Sequence, residues 1–131
     1  MDFLKLHLAE ILILIFLIIT FSISVIEKFA DWKGTVSYIT DTFKNTIINP
    51  ITKPLLVLLV FFEVLTSYFL ITGFYQLLIS EEKENALLGC VFSSLTILCM
   101  LLGQRIAKDY PGATSLGVYF LISVFGVFML N

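Results

Sequence analysis

The stretch from Pro54 to Ser80, PLLVLLVFFEVLTSYFLITGFYQLLIS, constrains this chain more than any other. It offers about 25 mostly apolar residues, enough to cross a hydrocarbon layer about 30 Å thick as one helix. Near its middle sits a single carboxylate, Glu63. A charge at that depth costs at least about 2.5 kcal/mol on insertion scales. It therefore needs a partner, a proton or a wet cavity, and a bundle of helices can supply any of these.

The rest of the sequence repeats the pattern. Of 131 residues, 59% are hydrophobic and only 14% are charged, too few polar groups to coat a soluble domain. Leu, Ile, Val and Phe run in long blocks and not at amphipathic spacing. We expect an all-α integral membrane four-helix bundle in one domain spanning 1–131, with spans at about 6–28, 54–79, 86–103 and 113–130. A net charge of −2 argues against nucleic-acid binding, which needs a basic face.

Ahead of the first block, residues 1–7 carry one Lys, and Ser22-Ile23-Ser24 has the form of a small-x-small cleavage site. We expect a retained anchor helix and not a removed leader. His7 and Glu10 share a face near its start; we expect both to be solvated at headgroup level, with a proton-accepting pair as the alternative. Glu27 and Lys28 close the helix ahead of Trp32, and Trp and Lys at such an end are interface anchors. Lys28 can snorkel outward along its own stem; the alternative is pairing with a carboxylate inside the bundle.

Between the first two spans, Val36, Ile39, Phe43 and Ile47 recur at spacings of three and four, with Asp41, Lys44 and Asn45 on other faces. That spacing predicts a short amphipathic helix at about 34–49, lying along the membrane surface or capping the bundle. Asn49-Pro50 stops it, and Pro54 suits the first turn of the second span.

Small and hydroxylated residues mark the helix contacts. Gly73 in the second span, Gly89 and Ser93 in the third, and Ala113 and Gly117 in the fourth allow close approach. Thr66 and Ser67 follow Glu63 by about one turn and can hydrogen-bond it. Thr72, Ser94 and Thr96 complete the polar groups able to face a bundle interior. The connection at 103–112 is polar and ends in a Pro-Gly turn.

Chemistry is sparse. No nucleophile stands at recognisable spacing from His7, the single histidine, and there is no phosphate-binding glycine loop. No spacing of metal ligands is present, so we expect neither catalytic residues nor a metal site. Cys90 and Cys99 lie nine residues apart, on opposite faces of a helix and about 13 Å apart along it, and cannot bridge each other. The candidates for a ligand or proton site are Glu63, Lys28, Glu27, Ser67 and Thr66. Such a set fits binding a lipophilic molecule with a polar head, or moving a proton. A small transporter is the third reading, although the long amphipathic connection is foreign to small multidrug exporters.

The loops after spans one and three hold Lys28, Lys33, Lys44, Lys53, Arg105 and Lys108, against Lys5 and Lys83 on the other side. The positive-inside rule predicts both termini outside and the longer loops in the cytoplasm.

Two stretches together carry a family resemblance. Ser24-Val25-Ile26-Glu27-Lys28-Phe29 closes the first helix, and Glu63 is followed ten residues later by Gly73 after an apolar run. The pair resembles the pattern of DoxX-like proteins, small four-helix proteins of bacterial and archaeal membranes. The motifs cover about 20 residues and the outline covers the whole chain. Where that pattern has Gly before the Lys, this chain has the Ser24 region; after Glu63 its small residues are Thr66 and Ser67. The resemblance implies a bacterial cytoplasmic membrane and quinone-linked redox chemistry, as in a subunit of a thiosulfate:quinone oxidoreductase. It carries Lys28 and Glu63 over as the functional positions. It implies quinone as a non-covalent ligand, and the bilayer plus other membrane subunits or further copies of the chain as partners. Without a redox centre of its own, the chain would serve as a non-catalytic subunit; the alternative is a stand-alone quinone-binding or oxidoreductase component using Glu63 and Lys28.

Overall fold

A computed structural model describes residues 8–80 and 82–131. Five α-helices follow in order: α1 (Leu8–Ala30), α2 (Trp32–Thr42), α3 (Thr52–Ser80), α4 (Glu84–Ile106) and α5 (Tyr110–Leu130), with a 3-10 turn at Asn49–Ile51. The described residues contain no strand. Four of the helices, α1, α3, α4 and α5, are long and apolar enough to cross a membrane. In hydrocarbon every backbone N–H and C=O must be satisfied within the segment, which a helix achieves. Several hydroxyl side chains are satisfied the same way. Thr20, Thr72, Ser93, Ser94 and Thr96 each bond the carbonyl one turn back, at 2.7–2.9 Å.

The four helices pack cyclically, α1 on α3, α3 on α4, α4 on α5 and α5 on α1. Each contributes a seam. On α1 the residues Leu14, Leu17 and Phe21 are fully enclosed at spacings of three and four, and Ser24 and Lys28 continue that row. On α3 the seam runs through Leu56, Val60, Glu63, Thr66, Leu70, Gly73 and Leu77. Helix α4 is buried along two stripes, since it lies between α3 and α5.

Outward faces carry bare apolar side chains. Leu12, Ile19, Ile26, Phe61, Ile71, Leu95, Leu121 and Phe128 are all at least half exposed. In water such a coat would drive aggregation; in a bilayer it is the solvent-facing surface.

Close approach is set by glycine at two crossings. A Cβ on Gly73 would overlap the backbone N and Cα of Ala86 and lie 2.8 Å from the carbonyl carbon of Asn85. One on Gly89 would lie 3.0 Å from the backbone N of Leu70. Ala113 is buried and Ser93 is fully enclosed. Gly117 differs from expectation: a Cβ there would meet nothing within 4 Å. It lies on an open stretch of α5, because the α4–α5 contact runs through Ala113, Leu116 and Ser123 instead. Gly126, which the sequence reading had not assigned to packing, does make a contact, with Cys90 Sγ 2.8 Å from its Cβ position.

Two connections also differ from expectation. The amphipathic helix occupies Trp32–Thr42 and not 34–49. Asp31 caps it early, accepting from Gly34 N at 3.1 Å, and the chain unwinds into turns from Phe43. The 103–112 connection is shorter than its polarity suggested, since α4 continues to Ile106. Lys108 adopts a left-handed φ of 61°, and Asp109 N bonds Gln104 O at 2.9 Å, closing the helix where glycine is usual. Pro111-Gly112 is then no turn but the first turn of α5. Asp109 accepts from Gly112 N at 3.2 Å, and the missing proline N–H costs nothing there.

Candidate functional site

Three side chains from two helices meet between α1 and α3. Lys28 Nζ lies 3.1 Å from Glu63 Oε1 and 3.0 Å from Oε2, and it donates to Ser24 Oγ at 2.6 Å. Ser24 Oγ donates in turn to Glu63 Oε1 at 3.0 Å. The row geometry explains the meeting. Ser24 and Lys28 are one turn apart on the seam of α1, and Glu63 is the seam residue facing them on α3.

The Glu63 side chain is completely enclosed, while the Lys28 side chain retains 19% exposure. The lysine therefore does not snorkel outward as expected: its ammonium points one turn back along α1, to Ser24 and the carboxylate, which is the pairing given as the alternative. Oε1 holds both hydrogen bonds. Oε2 has the ammonium beside it but no hydrogen bond directed at it. We weigh the ionic contact as real and the orientation as unsatisfied, because an ammonium is close to a point charge while a hydrogen bond is directional.

The carboxylate is level with Ser24, in the last two turns of α1, and one turn from Thr66, which meets the middle of α4, so it lies close to the waist of the bundle on the α2 side. Helix α3, with 29 residues, is about 43 Å long and its first turns reach past α1 to meet α2.

The other named residues separate. Thr66 turns away from Glu63 and shares a hydrogen bond with Thr96 of α4 at 3.3 Å. Ser67 lies one turn deeper than Glu63 on its face, but its Oγ is buried and has no hydrogen-bond partner. Glu27 is exposed on α1 and takes no part in the cluster. Ser94 reaches Ser123 at 3.0 Å, a second polar contact across α4 and α5. At the opposite end Glu10 is buried, not solvated, with Lys83 Nζ 3.9 Å away. His7, expected beside it, lies outside the described residues.

Ser24 is the member the sequence reading missed as a hydrogen-bonding group. Its spacing of four from Lys28 was the signal. Two clefts, of about 390 and 280 Å³, lie at the α2 end of the bundle, and neither is lined by Lys28 or Glu63. Among the described residues, no group of three or more His, Cys, Asp or Glu is placed to hold a metal. In chemical terms the cluster is an ion pair bridged by a hydroxyl. It can fasten two helices.

No protein-family profile, curated protein or solved structure matches the chain. The class defined by fold and composition is an all-α bundle of four helices suited to a membrane.

Proposed function

We propose that the protein is a DoxX-like integral membrane subunit of a larger membrane complex, non-catalytic in itself and associated with quinone-linked redox chemistry. The observation that supports this most is the fate of Glu63. Its enclosed charge is met by Lys28 and Ser24 of the same chain, so the most chemically capable group in the spans serves helix α1's attachment to α3. The two positions that the family resemblance singles out, Lys28 and Glu63, are the two that pair. A bundle whose inner polar groups are largely used internally, and whose outer faces are broadly apolar, suits a scaffold among other membrane subunits. The bacterial cytoplasmic membrane is the proposed location, with the α2 end and its cations facing the cytoplasm.

The test is extraction from native membranes in mild detergent, followed by native electrophoresis and identification of co-migrating proteins. The full chain should travel in an assembly well above its own mass with other subunits. Recovery as a lone monodisperse monomer contradicts the proposal.

A second reading has one specific support. Glu63 Oε2 and the buried Ser67 Oγ, one turn apart on one face, both lack a hydrogen bond. A quinone or another lipophilic molecule with a polar head could supply one while meeting the Lys28 ammonium. On this reading E63Q weakens ubiquinone binding to the purified chain while expression is retained. Equal binding by wild type and E63Q removes Glu63 from any such site.

A further inference from the structure

The larger of the two clefts lies between the end of α4 and the start of α5, far from the Lys28–Glu63 cluster in sequence and on other helices. Leu101, Arg105, Tyr110, Ala113 and Thr114 line its volume of about 390 Å³, a size in the range of small-molecule sites. Its two ends differ. At the outer end Arg105 and Tyr110 are exposed, and the guanidinium carbon stands 5.2 Å from the centre of the Tyr110 ring. That contact orients the cation over an aromatic face. Among the described residues no carboxylate forms an ion pair with Arg105.

At the inner end the walls are Leu101 and Ala113. One turn deeper on the Ala113 face comes Gly117, where a Cβ would meet nothing within 4 Å. One turn beyond that is Leu121, 69% exposed. Beyond the cleft the surface of α5 is therefore apolar and open, without side-chain obstruction at Gly117.

We propose that this cleft holds one anionic phospholipid, its phosphate on Arg105 and an acyl chain lying along Ala113 and Gly117. Charge complementarity carries the choice of occupant. An unpaired guanidinium at the level where two spanning helices end meets the phosphate zone of a leaflet, and the groove below it is apolar where acyl carbon begins. Arg binds phosphate through its planar fork of donors. Basic pockets between spanning helices at the cytoplasmic side are a recognised way to hold anionic headgroups, and Arg105 stands at the end of the bundle with most of the cations. A zwitterionic lipid gains the groove but is repelled at its ammonium, so the site discriminates by headgroup charge.

The test uses the full chain in detergent, with thermal unfolding followed by Trp32 fluorescence while dioleoyl phosphatidylglycerol or phosphatidylcholine is titrated. Phosphatidylglycerol should raise the unfolding temperature more than phosphatidylcholine, less so at high salt. R105Q should weaken its half-saturation by roughly fivefold. G117L, which places a side chain on that open stretch of α5, should reduce the lipid effect while leaving the lipid-free unfolding temperature near wild type. K33Q, a cation change on α2 at the same end, should leave the titration unchanged. An undiminished phosphatidylglycerol response in both R105Q and G117L overturns the proposal. So does an equal response to inorganic phosphate or to phosphatidylcholine, or an equal loss in K33Q.

Discussion

Glu63 is fully enclosed, and the atoms around it decide whether that is tolerable. Lys28 neutralises it and Ser24 bonds both partners, so the hydroxyl holds the ammonium and the carboxylate in register. Hydrogen bonds to charged groups contribute more than neutral ones, about 1.5–3 kcal/mol. Ser24→Ala deletes a donor to Glu63 and an acceptor from Lys28 while leaving both charges. Equilibrium unfolding in mixed micelles should show a loss of about 1.5 kcal/mol. A loss under about 0.5 kcal/mol, the scale of an ordinary surface change, would mean that Ser24 is a bystander. Of this trio, two members were legible in the sequence as isolated charges. Their meeting was legible only as the alternative reading of Lys28, because it depends on the register of α1 against α3, which no local spacing fixes. Thr66 illustrates the same limit. It follows Glu63 by three residues, yet its side chain faces α4 and bonds Thr96.

At the scale of the helices, contact between neighbours is decided by which small residues face a backbone. Gly73 and Gly117 are both glycines in apolar helices, and sequence alone treats them alike. Their surroundings do not: the backbone of Ala86 abuts Gly73, and nothing abuts Gly117. Gly73→Ala forces α3 and the start of α4 apart, for a loss of about 2 kcal/mol, within the usual range for overpacking. Gly117→Ala should be neutral or up to about 1 kcal/mol stabilising, from helix propensity alone. Matched unfolding curves for the two variants check the contrast, and similar losses for both would refute it. Spanning helices themselves were plain in the sequence, since length and apolarity suffice to specify them. Their ends were less so. Lys108 takes a conformation usually left to glycine, and Pro111-Gly112, a turn signal by composition, sits in a helical first turn because Asp109 caps it.

For the whole molecule, the even number of candidate spans and the uneven distribution of cations set an orientation. The α2 end carries Lys33, Lys44, Lys53, Arg105 and Lys108, and the other end is dominated by Glu10, Glu82 and Glu84. The C-terminus and the α3–α4 connection should therefore face outward. A cysteine placed by K44C should react with a membrane-impermeant maleimide only after the cytoplasmic side is opened, and one placed by E82C should react in intact cells. Native Cys90 is buried, and Cys99 is exposed on a helix long and apolar enough to cross a membrane, so both should contribute little background. Labelling of K44C from outside reverses the orientation.

The attachment of α1 to α3 by an enclosed ion pair underlies both the bundle and its proposed role as a subunit. A double-mutant cycle of K28M and E63Q, read by equilibrium unfolding in mixed micelles, measures it directly. K28M strands the enclosed Glu63 carboxylate and should cost about 3 kcal/mol, E63Q leaves a partly exposed Lys28 without its counter-charge and should cost less, and the double variant should cost less than their sum. A coupling of at least about 2 kcal/mol is expected, and additivity within about 0.5 kcal/mol would show that the two side chains do not act on one another.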